Sequence, residues 1–114
     1  MSEHFNNLTP AQDELLTLLA EECAEVIQAI CKIQRHGYES FDPTDTGDAP
    51  TNRRTLTKEM GDVKAAMSIL CGSGDIDLGV VHNHALWKLR KVGEWLHHNP
   101  QVQALHRGQE ETGK

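Results

Sequence analysis

No stretch of this 114-residue sequence approaches the roughly 18 consecutive apolar residues of a membrane-spanning helix. A soluble chain with no membrane partner is therefore expected. The opening MSEHFNNLTPAQDE has neither a basic n-region nor an apolar core, so it does not read as a secretory signal. Only three cysteines occur, without any Cys-x-x-Cys. They make neither a disulfide framework nor a zinc set, and point to a reducing cytoplasm. Aromatic residues are scarce at 4%, too few for a base-stacking platform. Basic residues are also few, 11 Lys and Arg against 17 Asp and Glu for a net charge of −6. That balance argues against a nucleic-acid partner, whose binding surface would be basic. No run alternates with period two over a strand's length, and no internal repeat is visible. The length supports one domain of ordinary size.

What is present is helical. Thr9 precedes Pro10 and stands three residues before Gln12, which reads as an N-cap, a proline at the first helical position and a capping-box partner. Leu15, Leu16, Leu19, Cys23, Val26, Ile27 and Ile30 then recur at helical spacing, and Gly37 supplies a stop. The spacing predicts a long helix over about 9–35, preceded by an N-terminal extension at 1–8, with Cys23 and Cys31 read as small core residues. Residues 38–51, YESFDPTDTGDAPT, form a loop longer than most connections, a length usually associated with function or disorder. Leu56, Met60, Val63, Met67 and Leu70 predict a second helix over about 52–71, with Asn52 as its cap. After Gly72-Ser73-Gly74, a third helix is expected over about 76–98, with Asp75 or Asp77 as cap and Val81, Ala85, Leu89, Val92 and Leu96 on its apolar stripe. Asn99-Pro100 breaks it and opens at most a short turn to about Leu105, followed by a flexible tail at 107–114. The fold class is all-α, an antiparallel bundle of three main helices in one domain over 9–106.

The acids carry the functional signal. No Lys or Arg precedes Lys32, yet Glu3, Asp13, Glu14, Glu21, Glu22 and Glu25 all lie in that stretch. Glu22 and Glu25 are i,i+3 neighbours and Glu21 and Glu25 are i,i+4, spacings at which like charges destabilise a helix. A solvated acidic face usually interleaves bases, and none stands within four residues here. Helix two repeats the pattern with Glu59 and Asp62, on a stripe with Ala66 and Ile69 that borders the apolar one. At ~1.5 Å per residue, Glu25 lies ~15 Å before Arg35 and Glu59 ~9 Å after Arg53. Antiparallel packing would bring the two pairs within about one turn of each other. Four converging carboxylates require protonation or a cation, and an all-oxygen set suits Mg²⁺ or Mn²⁺ rather than Zn²⁺.

Glu21-Glu22-x-x-Glu25 followed by Glu59-x-x-Asp62 resembles the E-E-x-x-E…E-x-x-D signature of the MazG-type all-α nucleoside triphosphate pyrophosphohydrolases. The flanking segments CKIQRHG and TNRRTLTKEMGDV, the glycine-rich turn and the third helix ending in EWLHH are similar as well, over roughly residues 14–98. The resemblance implies Mg²⁺-dependent hydrolysis of a (deoxy)nucleoside triphosphate to the monophosphate and pyrophosphate. It places Glu22, Glu25, Glu59 and Asp62 as metal ligands, and Glu21 as a further ligand or the residue orienting the attacking water. A basic residue should also reach the phosphates. Helix lengths place Lys88 nearest the carboxylate level and Lys91 one turn further, and the resemblance also suggests a base there. Lys32 and Arg35 are secondary candidates for the phosphate tail. The apolar residues around helix one exceed what three helices can bury, so a homodimer or tetramer is expected, as the resemblance also implies.

Other features carry less. His82-x-His84 and His97-His98 lack the partners of a zinc site. Glu94-x-x-His97 matches only half of a di-iron carboxylate pattern. Trp87 and Trp95 read as core or interface residues. The glycine turn lacks the Lys-Ser/Thr of a P-loop. A non-catalytic helical interaction module, or one that binds metal or nucleotide without turnover, is the alternative to an enzyme.

Overall fold

The computed structural model describes residues 6–41 and 49–111. The expected N-terminal extension, the 38–51 loop and the C-terminal tail therefore fall partly outside the described residues. Everything described is helix, turn or irregular chain, and no strand occurs among these residues.

Helix α1 spans Pro10–His36. It starts where the capping signal placed it: Thr9 Oγ1 accepts from the Gln12 N–H at 3.0 Å, and Gln12 Oε1 accepts from the Thr9 N–H at 2.9 Å. It stops at Gly37, whose N–H donates to Ile33 O at 2.7 Å and whose φ of +88° with ψ of 165° suits glycine alone. Helix α2 spans Asn52–Gly72. Its cap is Thr51, which accepts from the Arg54 N–H at 3.2 Å. Asn52 is therefore not the cap; its amide instead donates to Gly37 O at 3.1 Å. Helix α3 spans Leu78–Lys91, capped by Asp77 through the Val80 N–H at 2.9 Å. It gives way to a 3₁₀ turn over Val92–Glu94 and so ends well short of residue 98. Helix α4 runs over Pro100–Glu111, longer than a turn to 105 and reaching into the stretch expected to be a flexible tail. Pro100 at the first position leaves no N–H to satisfy, and Asn99 O accepts from Val102 and Gln103.

The chain divides into two compact units, the first ending at Asp75 and the second beginning at Ile76. In the first, contacts join residues of α1 and α2, or those that flank them, at two places. Asn52 N–H and Arg53 N–H donate to Ser40 O and Tyr38 O, each at 2.8 Å, at one end. Gln12 reaches Asp75 at 3.5 Å at the other. The buried interior between them is thin, consisting of Ala29, Ala66 and Leu70, flanked by half-buried Leu15, Leu19, Val26, Leu56, Val63 and Met67. Cys23 and Cys31 are exposed, contrary to their reading as core residues. The stripe marks what α1 can bury, but α2 covers only part of it. In the second unit Gly93 alone is buried among the described residues. Trp87 and Trp95 stand 47% and 55% exposed, with His84 against Trp87 at 5.1 Å between ring centroids.

Candidate metal centre

The carboxylates predicted to converge do so. Glu22, Glu25, Glu59 and Asp62 each bring one oxygen to a cluster whose members all lie within 4.8 Å of one another. Each helix contributes an i,i+3 pair, two residues one turn apart on the same face. Their facing requires the small residues beneath: Ala66 is buried four residues beyond Asp62, and Ala29 four beyond Glu25. A large side chain at either position would hold the helices further apart. Glu22 and Glu59 are half-buried, Glu25 and Asp62 exposed, so the cluster has an inner and an outer side. No second group of three or more His, Cys, Asp or Glu side chains converges in this way among the described residues.

The electrostatics are those of an uncompensated site. Glu22 Oε2 and Glu59 Oε2 are sealed from solvent and accept no hydrogen bond. A buried acceptor without a donor is costly, and native structures keep few of them. Lost hydration raises the Glu22 carboxyl above the ordinary carboxylate range, and the charges of Glu25, Asp62 and Glu21 push the same way. Glu59 is raised first by side-chain hydrogen bonding to Glu25, which favours its protonated form. Lost hydration and the charges of Glu25 and Asp62 add to that shift. No Lys or Arg pairs with these acids among the described residues. Two orphaned oxygens within a ring of four carboxylates are what a hard cation would satisfy, and the donor set fits one.

Glu21 stands outside the four-oxygen set and is exposed. It is near enough for its charge to raise Glu22. Lys32 and Arg35 lie exposed on the last turns of α1, with no ion-pair partner among the described residues. Lys88 and Lys91 belong to the second unit, where both are already engaged. Lys88 Nζ sits 4.6 Å from the centre of the Trp95 ring, and Lys91 Nζ meets Glu94 Oε1 at 2.7 Å. Glu94 is thus held in a lysine pair. The feature that sequence reasoning missed is at the loop end of the first unit, where Arg53 contacts both Tyr38 and Glu39. Its only signal was an arginine, a tyrosine and a glutamate bracketing a long loop.

An all-α fold with a carboxylate pair on each of two paired helices defines a class of helical proteins built around one acidic centre. The family profile of the MazG nucleotide pyrophosphohydrolase domain matches residues 11–97, and the chain belongs to that family. No curated protein and no solved structure gives a significant match. The family supports a nucleotide pyrophosphohydrolase, and the acidic cluster is compatible with that family's dependence on metal.

Proposed function

We propose that this protein hydrolyses a (deoxy)nucleoside triphosphate to the monophosphate and pyrophosphate in a Mg²⁺-dependent reaction, with Mn²⁺ able to substitute. The observation that carries the reading is the four-carboxylate cluster with its two buried, partnerless oxygens, in a chain whose family is a nucleotide pyrophosphohydrolase. Glu22, Glu25, Glu59 and Asp62 would hold the ion. When bound, Mg²⁺ offsets the negative charge of the phosphate oxygens and favours ionisation of a nearby water.

The chain's own residues do the rest. Glu21, beside the cluster, orients the attacking water and accepts its proton or adds a ligand oxygen. Water oxygen bonds to the α-phosphorus, the bond from that phosphorus to the bridging oxygen breaks, and pyrophosphate leaves with the electron pair. Such transfers depend mostly on positioning and charge stabilisation. Lys88 is the foremost phosphate contact and Lys91 the second, with Lys32 and Arg35 toward the phosphate tail. For Lys88 to serve, its ammonium exchanges the Trp95 ring for a phosphate oxygen, a trade of a modest cation–π contact for a charge-assisted one.

The working form is a single helical domain over 9–106, an antiparallel bundle completed as a homodimer or tetramer in the cytoplasm, with the nucleotide near the interface. Ile27 at 61%, Leu78 at 62% and Val80 at 64% exposure support that reading, since such apolar surface favours association. No described helix is long and apolar enough to cross a membrane, and nucleic acid is not among the partners proposed. A panel of nucleoside triphosphates with Mg²⁺, followed for pyrophosphate and monophosphate, tests the reaction. Stepwise orthophosphate release, or turnover that survives EDTA, would overturn it.

A further inference from the structure

Few side chains between α1 and α2 are fully buried, and Leu15, Leu19, Val26, Leu56, Val63 and Met67 flank them half-buried. Ala29 and Ala66 are 4% and 1% exposed, and among the described residues Leu70 is the only large side chain fully buried. The alanine contacts at the centre hold the helices close but add little resistance to sliding. The larger side chains that seat ridges in grooves are only half-buried, so contacts at the helix ends matter to register. The carboxylate cluster nevertheless needs one register. A slip of one residue moves two of its four members by ~1.5 Å and turns them by ~100°. Mg²⁺, which demands near-ideal octahedral geometry, tolerates that less well than Ca²⁺ does.

The pins are at the helix ends, and they are unequal. The Gln12–Asp75 contact is long, at 3.5 Å. The loop end is tied five ways. Arg53 N–H donates to Tyr38 O and Asn52 N–H to Ser40 O, each at 2.8 Å. The Asn52 amide donates to Gly37 O at 3.1 Å. Arg53 Nε meets Glu39 Oε1 at 2.6 Å, and the Arg53 guanidinium lies 4.3 Å from the centre of the Tyr38 ring. One arginine thus grips the end of α1 by a ring, a carboxylate and its own backbone. It is not aimed at the acids: at ~100° per residue it lies about 180° around α2 from Asp62 and about 120° from Glu59.

We propose that Tyr38, Glu39 and Arg53 form a clasp that fixes the register of α1 on α2, making Arg53 a positioning residue for the metal centre. The proposal rests on the metal-site reading above. Its test is calorimetric titration of full-length protein with Mg²⁺ and with Ca²⁺, in the absence of nucleotide, for wild type, Arg53→Ala, Arg53→Lys and Glu59→Gln. Helix content by circular dichroism confirms that each variant is folded.

Arg53→Ala should weaken Mg²⁺ binding about fivefold, equivalent to ~1 kcal/mol, and Ca²⁺ binding distinctly less. Arg53→Lys, which keeps a cation against both Glu39 and Tyr38, should recover most of the loss. Equal loss for both ions would mean general destabilisation rather than misplaced ligands, and would overturn the clasp. Unchanged Mg²⁺ affinity with a raised KM for nucleotide would make Arg53 a substrate contact and overturn it too. Mg²⁺ binding that is absent in wild type, or intact in Glu59→Gln, would defeat the metal site itself and the clasp with it. That outcome is recognised without reference to the Arg53 variants.

Discussion

Glu22 and Glu59 are the inner residues of the cluster, and each has one oxygen that neither water nor any donor reaches. Replacing either by glutamine removes a charge from a site already short of positive partners. In EDTA, Glu22→Gln and Glu59→Gln should therefore melt no lower than wild type. With Mg²⁺ added, wild type should gain stability by mass action and the variants much less. Turnover should fall about a hundredfold or more, since even loss of a ligand's supporting partner costs up to that. Equal metal responses in all of them, read from thermal melts, would rule out the site. The pH dependence has a definite sign. Both carboxyls titrate above the ordinary range in the fold, so the native state binds their protons more tightly than the unfolded chain does. Their protonation stabilises the fold fully below the unfolded value, and this contribution is lost as pH rises through the folded one. Metal-free wild type should thus gain stability relative to Glu59→Gln as pH is lowered from neutrality into the acid range. A constant difference across that range would contradict the shift.

Helix boundaries carry their own predictions, because the caps are visible bond by bond. Thr51, not Asn52, satisfies the first turn of α2, so Thr51→Ala should cost ~1 kcal/mol in urea unfolding. Gly37 adopts a backbone conformation open to essentially no other residue. Gly37→Ala should cost ~1–3 kcal/mol although nothing crowds the added carbon. A cost near zero at Gly37 would show that the end of α1 relaxes freely. The elements also show what can be read from a sequence. Helices α1 and α2 and the pairing of their acids were legible because i,i+3 spacing and apolar stripes are local properties. Asn52 is the better N-cap residue type, so composition favours it over Thr51, and only the backbone bonds decide between neighbours. Cys23 and Cys31 were misjudged because a stripe reports what one helix can bury, while burial depends on its partner. The early end of α3 has a related cause: Val92 and Leu96 continue the apolar stripe at i,i+4 spacing although the α-helix stops at Lys91. Arg53's contacts join positions 14 and 15 apart across a loop, a distance over which periodicity says nothing.

At the scale of the whole molecule, the balance of surface is unusual. Among the described residues only Ala29, Ala66 and Leu70 form a buried apolar core, while Ile27, Ile69, Leu78, Val80, Leu89 and Trp95 are all at least 46% exposed. On the proposed reading, a protein of 12.7 kDa with so small an interior would gain stability by covering that surface with further copies of itself. Light scattering at micromolar concentration should return a multiple of 12.7 kDa, and the melting temperature should rise with protein concentration. A monomer with a concentration-independent melt would remove the oligomer from the proposed function.

The placement of the acids in mid-helix also bears on how such a chain can change over generations. Deleting or inserting one residue between Glu22 and Glu25, or between Glu59 and Asp62, rotates one carboxylate ~100° away from the other, so that spacing tolerates no drift in length. The connection between Ser40 and Thr51 carries no member of the cluster, so its length is under no such restriction. The bonds from Gly37, Tyr38 and Ser40 to Asn52 and Arg53 close off that connection at its base, so a change of length within it need not propagate into either helix. Insertions and deletions among descendants of this sequence should therefore collect between those two points, leaving the chemistry intact while the loop diversifies.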